Sequence, residues 1–109
     1  MIRMKAGNIA QIVGGRLNVD EHAVVWVAPV FDSRKATPGS FFLALQGQKA
    51  DGHEFIKNAL SHGAVFALVS KEITDPTLPN IQVPDVLDAL AKIATYVRNQ
   101  LPKIGRAHV

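Results

Sequence analysis

Between residues 31 and 55 the chain reads FDSRKATPGSFFLALQGQKADGHEF and gathers most of the side chains able to hold a small polar ligand. Asp32-Ser33-Arg34 sets a carboxylate, a hydroxyl and a guanidinium fork directly after the apolar run 24–31, where a strand should end. Ligands of open α/β sheets sit outside such strand ends. A second loop, Gln46-Gly47-Gln48-Lys49-Ala50, leads into Asp51-Gly52-His53-Glu54. There Asp51 can cap a helix and Glu54, three residues on, completes a capping box. A helix start presents unpaired N–H groups and partial positive charge, with Lys49 just before it, so an anion such as phosphate would be welcome. Because the helix end is worth only about 0.3–1 kcal/mol to one exposed charge, it can orient a phosphate but not select a ligand. Selection falls to Ser33, Arg34, Gln48 and the loop backbone. A plainer account competes at each point. Asp32 and Ser33 can make an Asx-type turn with Arg34 in a surface ion pair, Asp51 can be a cap alone, and His53 a solvated first-turn histidine.

The elements that must carry these residues follow from spacing. Ile9, Ile12 and Val13 predict a helix over Ala6–Val13, stopped by Gly14-Gly15. A short strand is expected at 16–19. The unalternating run 24–31 predicts a strand covered on both faces, with Pro29 forcing an edge or a bulge. Thr37-Pro38-Gly39 turns the chain into a short strand at 40–45. Residues 53–62 read as an amphipathic helix with Phe55, Ile56, Ala59 and Leu60 on its apolar side and Gly63 as its stop. A buried strand at 64–70 completes a βαβ crossover, a strand at 81–83 follows, and Asp85 caps a long last helix that Pro102 ends. The expected fold is α/β, a single three-layer α/β/α domain around a small mixed sheet.

Composition narrows the function classes. The 109 residues are 48% hydrophobic, enough for one domain with a core, and carry a formal charge of +3 and no cysteine. The basic residues are scattered and the single Trp and single Tyr lie far apart, so no nucleic-acid surface is expected. No signal peptide or apolar span long enough for a membrane is read, and the absence of cysteine suits a reducing cytoplasm. The four histidines lack metal-ligand spacing, so no metal site is expected, and no catalytic residue is assigned.

The succession Asp-Ser-Arg, Pro-Gly, Phe-rich strand, Gly-x-x-x-Asp-Gly-His and Ala/Gly-rich helix-to-strand passage resembles the N-terminal domain of the Mur ligases, which extend the peptide stem of peptidoglycan precursors. The flanks IAQIVGGRL and LAKIATYVRNQL look more like the branch adding D-alanyl-D-alanine than the branch adding the third stem residue, and the likeness covers roughly residues 6 to 104. The resemblance implies a UDP-MurNAc-tripeptide recognition domain over 1–104, in which Ser33 and the backbone at Phe31 hold the uracil end. It implies that Gln48, Lys49 and Ala50 close over the uridine and diphosphate. Arg34, Asp51, Gly52 and His53 complete the expected substrate-binding set. ATP and Mg2+ are implied for a full-length ligase, yet no G-x-x-G-K-T/S phosphate loop occurs here. The expectation is therefore a recognition domain with a tail at 105–109, without a cofactor of its own and inactive without the central and C-terminal domains. Its rivals are the same domain of the ligase adding the third stem residue and a non-enzymatic α/β interaction module.

Overall fold

The computed structural model describes the backbone of residues 2–46 and 51–105, and side chains as far as residue 100. In chain order the elements are β1 (Arg3–Lys5), α1 (Ala6–Val13), β2 (Arg16–Asn18), β3 (Val24–Trp26) and β4 (Pro29–Val30). After a 3-10 turn at Ser33–Lys35 come β5 (Phe41–Leu43) and a second such turn, Gly52–Phe55, that runs into α2 (Ile56–Ser61). The chain continues through β6 (Ala67–Val69), β7 (Asn80–Gln82) and α3 (Val86–Gly105).

Five strands make one mixed sheet in the order β2-β7-β6-β5-β4. Strands β4 to β7 pair in parallel, and β2 joins β7 antiparallel. Successive side chains of a strand point to opposite faces, and the central strands are apolar on both. Phe41 and Leu43 of β5 pack with Ile9 and Val13 of α1 and Val86 and Ile93 of α3, whereas Phe42 packs with Ile56 and Ala59 of α2. That division is the expected α/β/α sandwich. Phe41 and Phe66 stack within the first layer, ring centroids 5.3 Å apart and 13° from parallel.

The helix boundaries have local causes. Gly14 takes φ 63°, the left-handed conformation that closes α1. Asp85 accepts the backbone N–H of Asp88 at 2.9 Å and starts α3. The helix then passes through Pro102 to Gly105 rather than ending at the proline. A proline removes one backbone donor, and here the remaining turns continue around that loss.

The run 24–31 is not one strand covered on both faces. Its first part, β3, pairs antiparallel with β1 in a separate two-stranded sheet, Arg3 opposite Trp26 and Lys5 opposite Val24. Only Val25 of that strand is buried, while Val24 and Trp26 are exposed. Its second part, β4, forms the edge of the main sheet, the place expected for Pro29, which cannot donate to a ladder. The chain changes sheet just before that proline. A second correction concerns Phe55, 43% exposed rather than buried on an apolar helix face. Residues 52–55 wind as a 3-10 turn of about three residues per turn, so Phe55 falls out of phase with Ile56 and Ala59. Among the described residues no helix is long and apolar enough to cross a membrane.

Candidate functional site

A cleft of about 670 Å³ opens beyond the ends of β4 and β5. Phe42 and Leu45 belong to β5 and the residues just after it, Phe31 to Arg34 continue from β4, and Gly52, Phe55 and Asn58 come from the second 3-10 turn and α2. Parallel strands delivering two loops to one end of a sheet explain why residues far apart in sequence border one space.

On the β4 side, Asp32 precedes the first 3-10 turn. Its carboxylate accepts the backbone N–H of Arg34 at 3.0 Å, and the Arg34 guanidinium donates from Nε at 3.0 Å and from Nη2 at 2.8 Å. The Asx-type turn and the ion pair are thus both present. The Arg34 side chain, followed by its backbone N–H, holds the Asp32 carboxyl at about 2, below its ordinary 3.8. Because that pKa is depressed, the stabilisation is complete above the ordinary value and is lost as pH falls through about 2. Arg34→Gln should return the Asp32 midpoint toward 3.8, which a carboxyl-carbon NMR titration would follow; an unmoved midpoint would show that backbone N–H groups alone hold the charge.

Between these two charged residues, Ser33 is 6% exposed yet borders the cleft. Its hydroxyl makes no hydrogen bond among the described residues. Phe31 and Phe55 are exposed at the same cleft. Exposed aromatic rings next to a serine at the cleft suit a planar ring carrying hydrogen-bonding edges.

On the opposite side, Asp51 accepts the backbone N–H of His53 at 3.0 Å, the His53 ring Nδ1 at 2.6 Å and the Lys71 ammonium. The Lys71 bond, ahead of the His53 bonds, holds the Asp51 carboxyl well below the usual carboxylate range. The His53 side chain is 8% exposed, and its Nε2 accepts the Ser70 backbone N–H at 3.2 Å. Gly52 donates its N–H to the Leu45 carbonyl at 2.7 Å, and the neighbouring Gln46 and Asp51 form an antiparallel bridge.

Of the residues singled out in the sequence, Phe31, Ser33, Arg34 and Gly52 line the cleft, joined by Asp32. Asp51 and His53 lie behind the wall in their own hydrogen bonds and are not among the lining residues. Gln48, Lys49 and Ala50 fall outside the described residues. Phe42, Leu45, Phe55 and Asn58 went unread as site residues. Gly52, Phe55 and Asn58 follow one another at intervals of three, a spacing that puts them along one side of a helical turn and could have revealed them.

A model of the Mur ligase family, catalytic domain, matches residues 30–98. The chain belongs to the Mur ligase family. It is 33% identical over 101 residues to the UDP-N-acetylmuramoyl-tripeptide--D-alanyl-D-alanine ligase of Haemophilus influenzae, covering 93% of this chain and 22% of that protein. To the ligase of the same name in Escherichia coli it is 35% identical over 102 residues, covering 94% and 22%. The UDP-N-acetylmuramoyl-L-alanyl-D-glutamate--2,6-diaminopimelate ligase of Clostridioides difficile is 35% identical over 87 residues, covering 80% of this chain and 17% of that protein. Among solved Mur ligases, MurF from Acinetobacter baumannii superposes with a TM-score of 0.77 at 27% identity, covering 92% of this chain and 22% of that one. The D-alanyl-D-alanine branch thus aligns over more of the chain than the diaminopimelate ligase does, in keeping with the flanking helices. The chain spans about a fifth of the length of these relatives.

Proposed function

We propose that this chain is the substrate-recognition domain of a cytoplasmic peptidoglycan-precursor ligase and that its cleft takes the uridine end of UDP-MurNAc-tripeptide. The observation that carries this reading is Ser33, without a side-chain hydrogen bond among the described residues, set in a cleft with the exposed Phe31 and Phe55 rings. Uracil has both a face to stack and edges to hydrogen-bond. Arg34, already paired with Asp32, borders the base rather than supplying a free cation. Gln48, Lys49 and Ala50 then close over the diphosphate, Gly52 with Phe55 and Asn58 forms the opposite wall, and Asp51 and His53 support that wall from behind.

In the whole enzyme, where D-alanyl-D-alanine is added at the expense of ATP, a nucleotide handle far from the reacting carboxylate contributes by positioning. Binding energy at the remote group holds the carboxylate where the other domains act on it. The described residues of this chain do not themselves fit ATP or Mg2+. No phosphate-loop sequence occurs in it, and no group of three or more His, Asp or Glu comes together among the described residues. Domain 1–104 is accordingly expected to bind substrate and, without the central and C-terminal domains, to turn over nothing. The likeness to a diaminopimelate ligase leaves a second reading, the same handle on the dipeptide precursor; the full-length enzyme's choice between dipeptide and tripeptide substrate decides between them.

Ser33→Ala tests the site. Loss of one hydrogen bond of about 0.5–1.5 kcal/mol should weaken UDP binding about two- to tenfold and leave the melting temperature unchanged, because the hydroxyl has no partner among the described residues. An NMR titration of the labelled chain with UDP and UMP reads both the constant and its location. An unaltered dissociation constant would remove Ser33 from the site.

A further inference from the structure

Lys71 is the second residue after β6, is not among the residues lining the cleft, and is half exposed. It donates to Asp51 across 20 residues of chain. Asp51 also receives the His53 Nδ1 at 2.6 Å, and His53 in turn accepts the Ser70 N–H at 3.2 Å. A backbone N–H can only donate, so His53 Nε2 carries the lone pair and the ring proton resides on Nδ1, facing Asp51. Ser70 and Lys71 are consecutive. The bonds therefore form a closed ring, from the end of β6 to Asp51, on to His53 and back to the end of β6. Gly52 sits within this ring, between Asp51 and His53, and begins the turn that carries Phe55 into the cleft.

We propose that Lys71 is a positioning residue for nucleotide binding, acting through Asp51 and His53 to set the wall formed by Gly52, Phe55 and Asn58. The proposal rests on the uridine-nucleotide reading of the cleft. A half-exposed ion pair contributes little to global stability, so the consequence of this one is geometric. It fixes both carboxylate oxygens of the residue that caps the turn, one toward His53 and one toward Lys71. Binding surfaces hold their geometry through such supporting bonds behind the contacting side chains.

Lys71→Met keeps an unbranched apolar stem and removes the ammonium donor. The full chain carrying it should retain its melting temperature, shift the amides of Gly52, Phe55 and Asn58 without ligand, and bind UDP about three- to tenfold more weakly, the size of effect that residues without ligand contact exert. Lys71→Arg, which restores a cationic donor, should return both the amide positions and the affinity to within about twofold of the parent. Imidazole nitrogen shifts of the parent chain should show His53 protonated at Nδ1 alone. The proposal is overturned if Lys71→Met leaves the three amides and the affinity where they were, or if Lys71→Arg fails to restore them. Should the parent chain not bind UDP at all, the nucleotide reading fails, whereas the amide shifts of the unliganded variants still decide whether Lys71 places the wall.

Discussion

Phe66→Ala is expected to lower the free energy of unfolding by about 3–5 kcal/mol, the cost typical of emptying a core aromatic site. The side chain has no exposure and stacks on Phe41 in the layer between the sheet and the helices α1 and α3. Its neighbours cannot collapse into the space easily. Phe41 lies in a strand paired on both sides, and the Phe66 carbonyl itself accepts the Phe42 N–H at 3.0 Å, which keeps the backbone in place after truncation. With domain stabilities of roughly 5–15 kcal/mol, a loss of that size leaves the variant marginal or unfolded at physiological temperature. Urea denaturation measures it. A midpoint shift corresponding to less than about 1 kcal/mol would mean that the two layers repack around the hole.

The contrast with Phe55 shows what the sequence disclosed and what it withheld. Phe66 lies in the apolar run AVFALV, whereas Phe55 lies in HEFIKN with Ile56 as its one apolar neighbour. The first was legible as core because a continuous apolar run of strand length has no polar face to offer solvent. The second is not legible, because the periodicity of residues 53–62 predicts an α-helix from its first residue, whereas the 3-10 start turns Phe55 toward the cleft. The same kind of local choice split the run 24–31. Composition alone favours one long strand, whereas pairing with Arg3–Lys5, a segment with no apolar run to announce it, moved β3 into a second sheet. The caps at Asp32, Asp51 and Asp85 were legible because they depend on neighbours two or three residues away. The Lys71 contact to Asp51 was not, since it joins residues brought together only by parallel pairing of β5 with β6.

Gly52→Ala should abolish measurable UDP binding, a loss of more than about tenfold, and cost about 1–3 kcal/mol of stability, as overpacking does. An added Cβ would lie 2.6 Å from both the N and the O of Leu45 and 3.1 Å from the carbonyl carbon of Ala44. These are backbone atoms at the end of β5, so no side-chain rotation relieves the clash. Either the strand end or the turn must move. The strand is buried and paired with neighbours on both flanks, while the turn is four residues long and leads into a helix of six. The turn therefore yields, breaking the Gly52 bond to Leu45 and carrying Phe55 and Asn58 away from Ser33. Gly14→Ala supplies the control, since its φ of 63° makes a side chain strained but nothing lies within 4 Å of the added Cβ. It should cost about 1–2 kcal/mol through left-handed strain and leave UDP binding intact. Melting curves and UDP titrations on the two variants separate a general loss of stability from displacement of the wall. Equal affinity in Gly52→Ala and the parent would show that nucleotide does not touch the Gly52, Phe55 and Asn58 side, and would confine the site to the loop after β4.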